Sequence, residues 1–210
     1  DNSVNLNYIR QAKQDALIYS FEDIQPNDSR LNLFDRELPQ YIGNSQKRIK
    51  LLILRDPFNL FASLLKSKKM KKNDDDKFKY ISLFKDYARE YIDYAREYID
   101  KKMNVKSDSY YQICVNYNQC FSEASYRIKL AEKLGFTVIK YPYQKISDRG
   151  KGSYFDSFEY ENKASSMNVL ERWKVFQGDS FYESLFEDRE LLELSQMIFN
   201  SDAPKFLGLE

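Results

Sequence analysis

Residues 49–65 read IKLLILRDPFNLFASLL. The nearly continuous aliphatic run from Ile49 to Leu54 is what a β-strand covered on both faces needs, as in a central parallel strand. Arg55, Asp56 and Pro57 stop that run, and Pro57 suits the first turn of a helix, where its missing N–H costs nothing. Phe58, Phe61, Ala62 and Leu65 then recur at helical spacing. Strand, tight turn and helix in this order make the usual framework of a phosphate-binding site in an α/β enzyme.

Working outward from this segment, the same punctuation recurs. Val4 to Gln14 predicts a helix, and Ala16 to Phe21 a short strand ending in Glu22-Asp23. The stretch 66–79 carries seven lysines around Asp74-Asp75-Asp76 and few apolar residues, so it is expected to be a solvated, mobile loop, with a basic clamp for an acidic acceptor as the sharper alternative. The heptapeptide DYAREYI then occurs twice, over 86–92 and 93–99, and places Tyr87, Tyr91, Tyr94 and Tyr98 on one helical stripe. A packing face is the plain reading of that stripe. An aromatic groove or a short contact to another chain are the alternatives.

Tyr110 to Tyr117 predicts the next strand, Ala124 to Leu134 a helix closed by Gly135, and Phe136 to Tyr141 a further strand. Residues 147–158 form a glycine-containing basic loop, and helices are expected over Met167–Phe176 and Arg189–Phe199. Alternating strands and helices imply one α/β domain over 1–210, a central parallel sheet flanked by helices. Ligands in such sheets bind beyond the carboxyl ends of the strands. That rule gathers Glu22-Asp23, Arg55-Asp56 and Asn116-Tyr117-Asn118 along one rim.

Composition narrows the chemistry. The 210 residues include 33 Lys plus Arg against 32 Asp plus Glu, so no global basic field marks a nucleic-acid binder and any anion site must be local. Histidine is absent, which removes the commonest general base, the commonest metal ligand and every histidine-based triad. No metal is expected. The two cysteines, Cys114 and Cys120, lack the spacing of a zinc site or a disulfide framework, so a reducing, cytoplasmic setting is expected. No apolar run approaches the roughly 20 residues of a membrane span. The 17 tyrosines and 15 phenylalanines read first as core filling.

Arg55 at a strand end and Ser63 eight residues on, in the following helix, pair a bidentate cation with a short hydroxyl donor, which suits a phosphate monoester. The plain alternative is a surface arginine paired to Asp56 and a serine tolerated in a helix. Around Gly150 and Gly152, consecutive amides can form an anion nest, with Arg149 and Lys151 adding charge.

The segment KLLILRDPFNLFASLL resembles the 3′-phosphate-binding segment of sulfotransferases that use 3′-phosphoadenosine 5′-phosphosulfate (PAPS). Gln112 to Gly135 is similar to that family's late strand and helix, which ends in a leucine-glycine pair, here Leu134-Gly135. Arg149-Gly150-Lys151-Gly152-Ser153 looks like its glycine-containing basic loop, and Glu171-Arg172-Trp173 like the pair that opens its terminal helix. The resemblance implies a P-loop-NTPase-like sulfotransferase fold in which Arg55 and Ser63 hold the donor's 3′-phosphate and residues 149–153 close over it. It implies PAPS as donor, 3′-phosphoadenosine 5′-phosphate as product, and a small-molecule or glycan acceptor. Glu22 is then the candidate base, with Asp23 the alternative. The family's opening strand and 5′-phosphosulfate loop have no counterpart here, so the fold is expected to be N-terminally incomplete. Two rival readings are a non-catalytic nucleotide-binding or interaction protein, a homodimer assembled through helix 86–99, and a P-loop kinase. The latter lacks its GxxxxGK[ST] signature.

Overall fold

The computed structural model describes residues 48–101, 110–136, 154–156 and 159–200, together with Asp28 and Ser29. In chain order these form β1 (Arg48–Leu54), α1 (Pro57–Lys66), α2 (Asp74–Lys101), β2 (Tyr110–Asn116), α3 (Tyr117–Ser122), α4 (Ala124–Leu134), α5 (Ser180–Ser184) and α6 (Arg189–Phe199). Short 3-10 turns occupy Ala164–Ser166 and Arg172–Phe176. Among the described residues the architecture is mixed α/β, with six α-helices and a two-stranded parallel sheet. The strands pair in register, Leu52 with Cys114 and Leu54 with Asn116. The helix expected from Val4 and the strand expected from Ala16 lie outside the described residues, as does all but Phe136 of the strand expected over Phe136–Tyr141.

Helix α1 begins where Pro57 was expected to start it, and its cap is Asp56, whose carboxylate accepts the N–H of Asn59 at 2.8 Å. From there Phe58, Phe61, Ala62 and Leu65 turn inward. They join Leu54 of β1, Phe84 and Ala88 of α2, Tyr182 and Phe186 from α5 and its end, and Leu191 of α6 in one buried cluster. Aromatic edges and faces interlock there. Phe58 and Phe186 lie 4.9 Å apart by ring centroids, Phe61 and Phe84 meet edge to face at 6.2 Å, and the Tyr182 hydroxyl donates to the Phe58 carbonyl at 2.8 Å.

Successive side chains of a strand face opposite sides, and here the two sides differ. Leu52 and Leu54 are buried, whereas Leu51 and Ile53 are 41% and 58% exposed. The expectation of a strand covered on both faces is therefore corrected for β1. Among the described residues its helical cover comes from one side, where α2 meets both strands. On that side Lys50 Nζ donates to Glu90 at 2.9 Å and Cys114 Sγ to the Tyr91 carbonyl at 3.7 Å. Cys114 and Cys120 are free thiols, and burial pushes Cys114 up to about 11.

Two further expectations change. The lysine-rich loop placed at 66–79 is a shorter turn, because the chain is helical from Asp74. Asn73 Oδ1 accepts the Asp76 N–H at 2.8 Å, and three aspartates in the first turn complement the positive end of the helix. The turn itself is tied down by buried Met70 and by a Tyr80 hydroxyl bond to the Lys69 carbonyl at 3.0 Å. The stretch Met167–Phe176, expected as an α-helix, is instead a chain of turns ending in 3-10 geometry. Its main-chain groups are claimed by residues of the β1–α1 corner.

Of the tyrosine stripe of α2, the first two members pack inward. Tyr87 and Tyr91 lie against the buried cluster, and Lys50 Nζ sits 5.9 Å from the Tyr94 ring. The opposite side of α2 carries an ion-pair ladder to α6, in which Lys85 meets Asp188 at 2.8 Å and Glu190 at 3.1 Å, and Arg89 meets Glu190 at 2.5 Å.

Candidate functional site: the carboxyl ends of the two strands

The parallel register brings the carboxyl ends of β1 and β2 side by side, so the residues just beyond them share a rim. Arg55 follows β1 and Tyr117 follows β2, and the guanidinium carbon lies 5.2 Å from the Tyr117 ring centroid. The Asp56 N–H points at Asn118 Oδ1 at 3.5 Å. The rim predicted from strand ends is thus formed by Arg55-Asp56 and Asn116-Tyr117-Asn118, while Glu22 and Asp23 lie outside the described residues.

Arg55 and Ser63 come together. Arg55 Nη1 donates to Ser63 Oγ at 3.0 Å, spanning the first turns of α1 from outside, and Nη2 donates to the Val169 carbonyl. Nε is buried and has no hydrogen-bond partner among the described residues. Both of the acceptors are neutral oxygens. No carboxylate of the described residues forms an ion pair with this guanidinium, and Asp56, its chain neighbour, is spent on the helix: its two oxygens accept the Asn59 side-chain amide at 3.0 and 3.1 Å as well as the Asn59 N–H. The plain pairing of Arg55 with Asp56 is therefore not what forms. Burial is the largest influence on Arg55 and lowers its pKa from the ordinary value. Tyr117 and Asp56 oppose that shift, and the charge of Arg172 adds to it. The group stays protonated at neutral pH, since a guanidinium starts so high. A cation that is short of anionic partners is an anion-binding group in waiting.

Asn59 connects this corner to the later turns. Its Nδ2 donates to the Leu170 carbonyl at 2.9 Å, and its Oδ1 accepts the N–H of Arg172 at 2.8 Å and of Trp173 at 3.4 Å. Arg172 in turn lies 4.9 Å from the Phe155 ring and donates to Asp156 Oδ2 at 3.3 Å. Residues 169–173 are thereby laid across the carboxyl end of β1. Trp173 is half-buried against the main cluster.

No protein-family model, curated protein or solved structure matches this chain.

Of the residues proposed from sequence to hold a ligand, Arg55 and Ser63 are thus joined. Arg149, Gly150, Lys151, Gly152 and Ser153 lie outside the described residues. Sequence reasoning had put Tyr117 on the rim but missed Asn59 and Asp156 as members of the site. Asn59 had a readable signal, an amide three residues after a capping aspartate and a first-turn proline, where a side chain can reach back to the cap. Asp156 had none, because its contact with Arg172 is made by folding alone. Among the described residues no cluster of three or more His, Cys, Asp or Glu side chains is placed to hold a metal, and no helix is long and apolar enough to cross a membrane.

Proposed function

We propose that the chain is a sulfotransferase-like domain that passes a sulfuryl group from PAPS to a hydroxyl or amine of a small-molecule or glycan acceptor, with Arg55 and Ser63 holding the donor's 3′-phosphate. What supports the reading is one observation: a largely buried guanidinium at a strand's carboxyl end that, among the described residues, is hydrogen-bonded by the neutral oxygens of Ser63 and Val169 and leaves Nε without a partner. A phosphate dianion is a stronger acceptor than either oxygen and offers three of them, so it competes for the same fork of donors. Ser63 Oγ accepts from Arg55 and keeps its own proton to donate to that phosphate.

Sulfuryl transfer, like phosphoryl transfer, is accelerated mainly by in-line positioning and charge neutralisation. In this reading Arg55 anchors the donor at the end remote from the reacting sulfur, and Glu22, with Asp23 as the alternative, takes the acceptor's proton. The resemblance carried by residues 49–65 supplies the identity of the donor. Tyr87 and Tyr91 do not favour the rival reading of assembly through helix 86–99, since they find their contacts within this chain.

Calorimetry with 3′-phosphoadenosine 5′-phosphate and with adenosine 5′-phosphate separates the 3′-phosphate from the rest of the nucleotide. The expected result is clear preference for the former, lost by about tenfold or more in Arg55→Gln, as a charge-assisted bond would predict. Equal affinity for both nucleotides, or an Arg55→Gln protein that binds like wild type, overturns the assignment.

A further inference from the structure

Tyr117 is fixed by its neighbours on both sides along the chain. It is the first residue of α3, and the cap of that helix, Asn116, is buried, accepts the Gln119 N–H at 3.1 Å through Oδ1 and donates from Nδ2 to the Ile198 carbonyl at 3.1 Å. On the other side Asn118 Oδ1 meets the Asp56 N–H at 3.5 Å, which joins the two strand ends. One helical turn on, the Phe121 ring lies nearly parallel to that of Tyr117, with 17° between the planes and 6.4 Å between centroids. The ring held in this way is the one over which the Arg55 guanidinium lies, 5.2 Å from its centroid. A guanidinium carries five N–H donors in its plane and none on its faces. In Arg55 one donor goes to Ser63 and one to Val169, and Nε–H has no hydrogen-bond partner among the described residues. A carboxylate set against that edge would occupy donors and would have to be displaced by an incoming anion. An aromatic face offsets the positive charge and takes none of them.

We propose that Tyr117 is a positioning residue that acts through Arg55: its ring lies on a flat side of the guanidinium, compensates the charge in the ligand-free protein, and leaves the N–H edge to take an oxyanion. This rests on the reading of Arg55 as an anion-binding group and deepens it. The ligand class that follows is an oxyanion taken edge-on, such as a phosphate monoester that presents two oxygens to the planar fork. Because the π-face and not the phenol does this, the Tyr117 hydroxyl is dispensable for binding. The ring also stays in place when the ligand is bound, since edge and face are used by different partners.

The test titrates Tyr117→Phe, Tyr117→Leu and Arg55→Gln with inorganic phosphate and with 3′-phosphoadenosine 5′-phosphate. Tyr117→Leu is expected to weaken both ligands about fivefold, and Tyr117→Phe to bind like wild type, a rescue by the ring that a contact from the hydroxyl to the ligand would not give. Nuclear Overhauser contacts between the Arg55 side chain and the Tyr117 ring supply a second readout in the wild-type protein, and they are expected both without ligand and at saturating phosphate. If Tyr117→Leu fails to fold, these contacts decide: their loss on saturation overturns the proposal, and their persistence supports it. Wild-type affinity in Tyr117→Leu, or a Tyr117→Phe protein as weak as Tyr117→Leu, with Arg55→Gln impaired, overturns the role of the ring and leaves the Arg55 site standing. Binding of both ligands that is indifferent to Arg55→Gln overturns the site and the role of Tyr117 together. Phosphate binding that follows the expected pattern without affinity for the nucleotide keeps the role of Tyr117 and removes PAPS.

Discussion

Asp56→Ala removes a carboxylate that is 2% exposed and accepts from the main chain and the side chain of one residue, Asn59. Losing the cap of α1 costs about 0.5–2 kcal/mol. The Asn59 side-chain amide would keep its bond to the Leu170 carbonyl but lose its ionic partner, and a bond to a charged group is worth about 1.5–3 kcal/mol. The two contributions overlap, so a total of about 2–4 kcal/mol is expected. With a urea slope of about 2 kcal/mol per molar, the unfolding midpoint falls by about 1–2 M. Circular dichroism at neutral pH reads this directly. Asn59→Ala keeps the main-chain cap but should cost a similar amount, because it cuts both side-chain bonds to Asp56 and the bond to the Leu170 carbonyl, and also frees the N–H groups of Arg172 and Trp173. The double mutant should then fall short of additivity by at least about 1 kcal/mol. Strict additivity, or a midpoint moved by less than about 0.3 M in Asp56→Ala, would refute the view that this pair ties α1 to residues 169–173.

The ion-pair ladder sets the acid limb of stability. Burial pushes Asp179 and Asp188 up, but bonds from Lys72 and Lys85 and from helix amides more than offset it, while Arg89 and then Lys85 hold Glu190 down, so all three carboxyls sit below their ordinary range. Groups depressed in the folded state stabilise it above their unfolded pKa, about 4, and that stability is lost as pH falls through the folded values. Tm is therefore expected to be level near neutrality and to fall below about pH 4, and Lys85→Met should flatten that fall; an unaltered acid limb in the variant counts against the ladder. Gly135 closes α4 at φ 79°, a left-handed conformation that costs a side chain about 1 kcal/mol, so Gly135→Ala should lower Tm by about 2–4 °C. An unchanged Tm would show that the cap is not under this constraint.

The elements that could be read from sequence are those whose signals are local. An aliphatic run and a proline gave β1 and the start of α1, Gly135 gave the end of α4, and Arg189 to Phe199 carries its own amphipathic period. Charge misled at Asp74, where a run of aspartates read as solvated loop is the favourable first turn of α2. Periodicity misled at Met167–Phe176, because the helix it suggests would take back the main-chain groups that Arg55 and Asn59 hold. Aliphatic composition misled at β1, where the run read as covered on both faces leaves Leu51 and Ile53 exposed. In the site, the joining of Arg55 to Ser63 was legible from their spacing. The strand-end rule also put Tyr117 on the rim with Arg55, whereas the Asp156 contact had no local signal.

The pairing of β1 with β2 has a kinetic consequence. Between the two strands lie the whole of α1 and α2, so their ladder cannot close until that intervening chain is compact, and the entropy of closure must be met before a single interstrand bond repays it. Helices α1 and α2 are adjacent in sequence and share Phe61 and Phe84, which makes them the natural first partners. Arg55 would then meet the Tyr117 ring only in the closing steps of folding, and the proposed anion site would be the last part of the described molecule to acquire its shape.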